Sequence, residues 1–341
     1  MRIPQVSIIV VSWNALTIVQ RCLPSVVESK WPGLQVIFAD NASTDGSAEW
    51  VAARFPEVQV IRHPENWRFC RGNNEAIRQS ESDYVLLLNN DVEVPSDWLE
   101  PLIALAESDP LIAAVQPKIM QFDERDAFDY AGAAGGYLDR LGYPFARGRI
   151  FEHLERDAGQ YDDVADLDWA SGAAVLLRRS ALEQVGLLDE TFEMHMEEID
   201  LCWRLRHAGY RIVIAPQSQV FHIGGGSLPR QSDQKLYFNV RNSLLMLYKN
   251  LPPAQRRRVL FERVVIDHVI ALAWLVTGQF RKARALVRAH LDAHRRRGQY
   301  TQLEMTQSLP SYRGRILFDY VLRGRRKFVD LSRHLFTLDD L

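Results

Sequence analysis

Tyr84-Val85-Leu86-Leu87-Leu88-Asn89-Asn90-Asp91-Val92-Glu93-Val94 is the stretch on which the fold turns: four aliphatic residues follow a tyrosine and run into Asn-Asn-Asp, after which apolar and acidic residues alternate. A short apolar run bounded by polar turn residues reads as a strand buried on both faces, as in a parallel sheet covered by helices. Ligands of open α/β sheets lie beyond the carboxyl ends of such strands. Asp91 stands at that end, where a carboxylate can hold a hard divalent cation together with phosphate oxygens. An Asn/Asp run there also suits a cap on the next helix, and the stretch alone leaves both roles open.

Upstream, Val6-Ser-Ile-Ile-Val-Val-Ser-Trp-Asn14 reads as a first buried strand. The turn after it is Trp13-Asn14-Ala15-Leu16, without the G-x-G-x-x-G of a dinucleotide-binding fold. Thr17 to Val27 reads as a helix broken by Pro24, and Gln35-Val-Ile-Phe-Ala39 as a second strand. The segment Asp40-Asn-Ala-Ser-Thr-Asp-Gly-Ser47 is dense in turn and N-cap residues, with Asp45 and Ser47 as caps. Asp40, at the strand's carboxyl end, is placed to accept hydrogen bonds from a nucleotide base or ribose. After a third strand, Val58 to Arg62, the segment Glu65-Asn-Trp-Arg-Phe-Cys-Arg-Gly-Asn-Asn74 reads as a loop leading into a helix through Ala76 and Ile77. Its Gly72 and two asparagines can bring backbone N–H groups to a phosphate, with Arg71 adding charge. The alternation of strand and helix predicts a mostly parallel, three-layer sheet.

Downstream, Ser96 is expected to cap a helix to Glu107, and Ala113 to Pro117 begins a strand. From Asp123 to Asp166, Gly, Asp and aromatic residues dominate, as in a long loop-rich insert over an active site. Asp168-Trp169-Ala-Ser-Gly172-Ala-Ala-Val-Leu-Leu-Arg178 is a small-residue turn and a strand, and Ser180 is expected to cap a short helix, Ala181 to Val185. In Phe192-Glu-Met-His-Met-Glu197-Glu198-Ile-Asp200-Leu-Cys-Trp-Arg204 the helical spacing puts Glu197, Glu198 and Asp200 in a first turn. The helix dipole favours acids there, and one of them could also act as general base toward a hydroxyl, its pKa raised by its neighbours. Arg211 to Ala215 is a strand. Val220-Phe-His222-Ile-Gly-Gly-Gly-Ser227 follows, in which His222 is a metal ligand, a diphosphate contact or a structural histidine.

The chain has 341 residues, 47% hydrophobic and 25% charged, enough for a full core and about two domains. Its net charge of -2 is uneven: residues 253–341 hold 18 Lys and Arg against 8 Asp and Glu, a net +10, leaving 23 against 35, a net -12, elsewhere. Such a basic tail suits an anionic partner. Without interleaved aromatics or a nucleic-acid motif, that partner is not expected to be nucleic acid. Cys22, Cys70 and Cys202 show no C-x-x-C spacing, which argues against a zinc or disulfide framework and for a reducing cytoplasm. The first strand begins within a few residues of Met1, so no signal peptide is expected.

Taken in order, Val6 to Asn14, Asp40 to Ser47, Asn66 to Asn74, Asn89-Asn90-Asp91, Trp169 to Ala173 and Glu197 to Arg204 resemble the family 2 glycosyltransferases. Tyr237-Phe-Asn-Val-Arg241-Asn242 looks like the bacterial rhamnosyltransferase branch, and the similarity spans roughly residues 5–250. The resemblance implies an α/β GT-A fold, Rossmann-like with a mostly parallel central sheet in three layers. It also implies inverting transfer from a nucleotide-diphosphate sugar to a glycan or polyprenyl-diphosphate-linked acceptor in cell-surface polysaccharide synthesis. L-rhamnose from dTDP-rhamnose is the expected donor, with a UDP-hexose or UDP-galactofuranose donor, or a non-catalytic nucleotide-sugar-binding role, as alternatives. By the resemblance Asp40 contacts the nucleobase, and Ser12, Asn14, Asn66, Arg71, Asn74, Asn89 and Asn90 belong to the nucleotide-sugar site. Asp91 and His222 hold Mg²⁺ or Mn²⁺. Glu198 is the base, with Glu197 and Asp200 as alternates, and Trp169 and Gly172 line the acceptor site. The chain departs from the family at Asn89, the first position of its D-x-D motif, and at Arg68-Phe69-Cys70, where relatives carry Gly-Phe-Ala. Replacing Gly by Arg removes an easy positive-φ option.

This divides the chain into a catalytic domain over 1–250, with its nucleotide-sugar half at 1–120 and its acceptor half at 121–250, and a basic helical region over 251–341. In the latter, Val264 to Val276 is interrupted by Asp267 and His268 and is too short and polar to span a membrane. Arg281 to Arg297 is a basic amphipathic pattern that suits either an anionic membrane interface or a helical cap with a solvated face. The expected location is the cytoplasm, peripheral on the inner face of the cytoplasmic membrane, with oligomers allowed.

Overall fold

The structure, a computed structural model, describes residues 2–224, 232–300 and 311–337. Its first part alternates β1 (Val6–Ser12), α1 (Leu16–Val27), β2 (Leu34–Asp40), α2 (Ser47–Arg54), β3 (Gln59–Arg62), α3 (Arg68–Arg78), β4 (Tyr84–Asn89), β5 (Val92–Glu93), α4 (Leu99–Ser108) and β6 (Ile112–Gln121). A small antiparallel sheet follows, built from β7 (Gly136–Leu138), β8 (Pro144–Ala146), β9 (Arg149–Ile150) and β10 (His153–Leu154). Then come β11 (Ala174–Arg178), α5 (Arg179–Val185), α6 (Glu197–His207), β12 (Arg211–His222), α7 (Asp233–Asn250), α8 (Pro253–Val276), α9 (Phe280–Arg296) and α10 (Ile316–Val321).

The main sheet has the order β3-β2-β1-β4-β11-β6-β12-β5. β1 pairs parallel with β2 and β4, with Ser12 opposite Asp40 and Val11 opposite Asn89. β11 is antiparallel to β4 and β6, β12 is parallel to β6, and β5 is antiparallel to the end of β12. Because side chains alternate along a strand, Ile9, Ile37, Val85 and Leu87 face one core while Ile8, Val10, Phe38, Leu86 and Leu88 face the other. Cys70 and Ile77 of α3, Leu182 of α5 and Trp203 of α6 close the first core, and Leu23 of α1, Val51 of α2 and Leu102 of α4 close the second. Each such Leu or Ile buried contributes ~1.5–3 kcal/mol, so the doubly covered centre is the stable scaffold of the fold.

Several local expectations differ. α1 runs through Pro24 to Val27, so the helix is not broken there, although the missing N–H leaves one carbonyl of the preceding turn without its helical donor. α4 starts at Leu99 rather than at Ser96, whose carbonyl instead accepts from Lys30 N at 2.7 Å. Ser180 lies inside α5, not at its cap. α3 begins at Arg68, so Arg71, Gly72 and Asn74 are helical, not loop. Gly72 is needed there because a Cβ would stand 3.1 Å from both Val11 Cγ1 and Asn41 Oδ1. The insert between β6 and β11 is packed, with Phe128, Tyr137, Phe145 and Ile150 all fully buried.

The helical region after Asn250 continues the same core: Leu251, Val259, Ala293, Tyr312 and Ile316 belong to the cluster that holds Leu87 and Trp203. Buried Arg263 donates to Leu141 O at 3.0 Å, and Tyr143 Oη donates to Asp267 at 2.7 Å. On α9, Leu286 and Ala289 are buried, so its apolar face packs inward as a cap. The exposed apolar residues lie instead on α8, where Phe261, Val265, Val269, Leu272 and Val276 are 69%, 47%, 63%, 61% and 81% exposed at helical spacing. No helix among the described residues is long and apolar enough to cross a membrane.

Candidate active site

The carboxyl ends of β1, β2 and β4 meet at one edge. Asn90 Nδ2 donates to Ser12 Oγ at 2.9 Å, which fixes the turn after β4 against β1. Asp40 is 3% exposed; its Oδ2 accepts from Ser43 N at 3.0 Å, while buried Oδ1 has no hydrogen-bond partner among the described residues. An unclaimed buried acceptor is costly, and a ligand N–H would satisfy it. Asn14 bridges the two loops above this edge, its Oδ1 accepting from Thr44 N at 2.8 Å. Asp45 accepts from Leu16 N at 2.8 Å and from Ser47 N at 3.1 Å, capping α1 and α2 at once.

β5 pairs with β12 so that Val92 faces His222, which makes Asp91 and His222 neighbours. His222 Nε2 lies 3.1 Å from Asp91 Oδ1, and Nδ1 lies 2.8 Å from Asp129 Oδ1. Burial alone would lower the imidazole's pKa, but Asp91 and Asp129 together raise it to about 10. A carboxylate behind Nδ1 is the arrangement that orients a metal-binding histidine through its other nitrogen. Among the described residues no three His, Cys, Asp or Glu side chains converge into a closed cage. Asp91 and, once its Nε2 proton is lost, His222 have the donor chemistry for a hard cation whose remaining positions phosphate and water would fill.

Across the sheet edge, Glu197 and Glu198 open α6 after a strained turn in which Glu193, His195 and Met196 have φ of +68°, +66° and +72°. Three side-chain-bearing residues in the left-handed region cost ~1–3 kcal/mol each and are held by surrounding contacts. Asn242 of α7 supplies them: fully buried, its Nδ2 faces the carbonyls of Phe192, Met194 and His195 at 2.9, 2.8 and 2.8 Å, while Oδ1 accepts from Arg241 Nε at 2.8 Å. Burial, then its neighbour Glu198, pushes the Glu197 carboxyl well above the usual range. Burial likewise raises Glu198 to about 7, against the backbone N–H groups of the helix start that favour its ionised form. Oε2 of each glutamate has no hydrogen-bond partner among the described residues. Gly172 lies against this pair: a Cβ there would stand 3.8 Å from Glu198 Cβ and 3.1 Å from Phe69 Cζ.

The family model described as Glycosyl transferase family 2 matches residues 7–186, more than half of the chain. The chain belongs to glycosyl transferase family 2. It is 27% identical over 258 residues to a Mycobacterium tuberculosis protein named N-acetylglucosaminyl-diphospho-decaprenol L-rhamnosyltransferase, covering 70% of this chain and 83% of that one. It is 31% identical over 235 residues to the O-antigen biosynthesis protein RfbC of Myxococcus xanthus, covering 64% of this chain and 17% of that one. Among solved structures, GalNAc-T7 with UDP, GalNAc and Mn²⁺ superposes with a TM-score of 0.58 at 16% identity, over 73% of this chain and 48% of that chain. The Pyrobaculum calidifontis mannosyltransferase PcManGT with GDP-Man and Mn²⁺ gives 0.54 at 15% identity, over 86% and 88%. These likenesses show the GT-A fold.

Within this family 2 glycosyltransferase, Asp200, Trp169 and Asn74 of the expected site residues are engaged elsewhere. Asp200 is fully buried, held by Arg204 Nε at 2.9 Å, Lys249 Nζ at 2.8 Å and Asn250 Nδ2 at 2.7 Å, so it is a structural anion and not an alternate base. Trp169 is 4% exposed and donates Nε1–H to Tyr137 O at 3.0 Å, so it packs beneath the site instead of lining it. Asn74 is buried on α3 with Nδ2 donating to Leu188 O at 2.8 Å and Oδ1 accepting from Leu188 N at 3.1 Å, a tie between elements that engages both ends of its amide. Asn66 accepts from Arg68 N at 2.9 Å at the loop surface, and Arg71 lies over the Trp67 ring at 4.0 Å. Asn89 donates its backbone N–H to Ala173 O at 3.0 Å. Arg68 takes the positive φ that glycine would take more cheaply, at +57°, and its guanidinium pairs with Glu193. Asp129, Phe69 and the clamp by Arg241 and Asn242 escaped the sequence reading of roles. The Asn in Tyr237-Phe-Asn-Val-Arg241-Asn242 was visible, but its partners lie about fifty residues away. The glycine run after Gly224 lies outside the described residues.

Proposed function

We propose that this glycosyltransferase transfers a sugar with inversion from a nucleotide-diphosphate donor to a hydroxyl of a polyprenyl-diphosphate-linked glycan, in cell-surface polysaccharide synthesis. The observation that carries this reading is Glu198, a half-buried carboxyl with a pKa near 7 and an oxygen left unclaimed beside Gly172. A base with that pKa is half ionised at neutral pH and retains driving force for proton transfer. Glu198 takes the acceptor hydroxyl's proton as its oxygen forms a bond to the anomeric carbon. The bond from that carbon to the donor's diphosphate breaks, and the nucleoside diphosphate leaves with the electron pair. Asp40 and Ser12 hold the nucleoside side, and the 193–196 turn fixes the base in line. Asp91 and His222 would hold Mg²⁺ or Mn²⁺, which when bound offsets charge on the departing diphosphate.

The relative named as an L-rhamnosyltransferase supports dTDP-rhamnose as donor and a diphosphate-linked lipid as acceptor. An unpaired acid pair at the acceptor side argues against a non-catalytic nucleotide-sugar-binding role. The test is transfer to a GlcNAc-diphosphate-prenol acceptor from dTDP-rhamnose, UDP-glucose and UDP-galactofuranose, read by mass spectrometry. Addition of a deoxyhexose is expected; a hexose product replaces the donor assignment, and no product from any donor removes the catalytic reading.

We further propose that the chain docks peripherally on the inner face of the cytoplasmic membrane. The exposed α8 stripe, with Arg256, Arg257 and Arg258 at one end, is an apolar face flanked by cations. Leu272→Glu puts a charge into its centre and should lower co-sedimentation with anionic vesicles about tenfold. Unchanged co-sedimentation would leave the face without this role.

A further inference from the structure

A cavity of about 530 Å³ opens between α7 and α9, and six arginines line it: Arg68, Arg241, Arg281, Arg284, Arg288 and Arg296. The carboxylates in its wall are Glu193 and Asp233. Glu193 is already engaged by Arg68, by Arg241 Nη1 at 3.2 Å and by Arg296 Nη1 at 3.8 Å. Arg288 has Asp292 at 3.6 Å, whereas Arg281 and Arg284 make no ion pair among the described residues. So many guanidiniums around one cleft repel one another unless an anion sits between them, and planar guanidinium donors match phosphate oxygens in pairs.

The place of the cleft says which phosphate. None of its lining residues comes from the ends of β1, β2 or β4, where Ser12, Asp40 and Asp91 stand. Its wall instead includes Glu193, which is joined to the donor-loop helix through Cys70 N–Glu193 O at 3.4 Å and lies four residues before the acid pair. It therefore borders the turn that carries the base. Along the same face of α7, at the helical spacing 237, 241, 244, 248, the arginine cleft gives way to a second cavity of about 430 Å³. There Leu244, Tyr248, Leu260, Val264 and Leu291 make the lining apolar.

We infer that the α7–α9 cleft is the seat of the acceptor's prenyl diphosphate: Arg281 and Arg284 take the diphosphate, and the adjoining apolar cavity takes the first isoprene units. This rests on the lipid-linked acceptor proposed above. The arginine cleft and the apolar cavity adjoin along α7, as diphosphate and lipid do in such an acceptor.

Calorimetry of the full chain with geranyl diphosphate, in vesicle-free buffer without donor, tests it. Arg281→Gln combined with Arg284→Gln should weaken geranyl diphosphate binding by at least about tenfold, the loss of charge-assisted hydrogen bonds. Binding of dTDP-rhamnose should be unchanged, which also shows that the variant is folded. Inorganic diphosphate should bind more weakly than geranyl diphosphate, and phosphatidylglycerol vesicles should not compete. Equal binding of geranyl diphosphate by wild type and variant overturns the site, as does competition by the vesicles, which would assign the arginines to lipid headgroups. Donor binding without geranyl diphosphate binding overturns the seat and leaves the transferase reading standing. Geranyl diphosphate binding lost in the variant, with no donor bound by wild type, supports the seat and counts against the donor reading.

Discussion

Glu198→Gln is expected to lower kcat by about 10²- to 10⁴-fold, the range for loss of a positioned general base, with donor affinity unchanged. Glutamine fills the same volume beside Gly172 and Phe69, so the change removes basicity without opening a cavity. The pH dependence follows from the same group. Wild-type kcat/KM should climb through about pH 7, where Glu198 loses its proton, and that limb should vanish in the variant. The effect on stability has the opposite sense. The folded-state pKa is raised from 4.5 to about 7, so folding retains a proton. That stabilisation is complete below pH 4.5 and is lost as pH rises through about 7. Glu198→Gln is always neutral and should lose less thermal stability than wild type between pH 6 and 8. A variant with wild-type kcat would remove Glu198 as the base and leave buried Glu197 as the candidate.

Asn242→Leu should be the most damaging change outside the reacting groups. The side chain is fully buried and serves three carbonyls of the 192–195 turn together with Arg241 Nε. Leucine leaves these groups buried without their partner, which costs about 2–5 kcal/mol in all. The loss falls on a turn that holds Glu193, His195 and Met196 at positive φ. Denaturant unfolding should show a lower midpoint, and kcat, measured where the variant is still folded, should fall with little change in donor KM. A variant that is destabilised but retains wild-type kcat would show that the turn is held without Asn242.

The legible parts of the molecule were those whose signal is local. Leu86 to Leu88 and Ile8 to Val10 are buried on both faces because both sheet faces are covered, and such strands read as unbroken apolar runs. Glu197 and Glu198 fell in a first helical turn because the following apolar residues keep helical spacing. What was hidden depends on distant partners. Asp200 looks like its neighbours in sequence, but Lys249 and Asn250 decide that it is structural. Trp169 resembles a site residue until Tyr137 O is found to take its N–H. Asp129 lies in an insert whose Gly and aromatic residues follow no period, yet the fold carries it to His222. The helix start at Arg68 was missed because a residue with a side chain there adopts a backbone conformation expected of glycine. The apolar stripe on α8 was read as a run too polar to span, since Asp267 and His268 interrupt it; buried Asp267 faces inward to Tyr143 and His290.

The most direct measurement is calorimetric binding of dTDP-rhamnose, UDP-glucose and UDP-galactofuranose, with and without Mn²⁺, to wild type and Asp91→Ala. Binding of one donor that strengthens with Mn²⁺ and loses that dependence in Asp91→Ala is expected, because Asp91 and His222 share the edge where the diphosphate would lie. No binding of any donor under either condition, or Mn²⁺-dependent binding that survives Asp91→Ala unchanged, would contradict it.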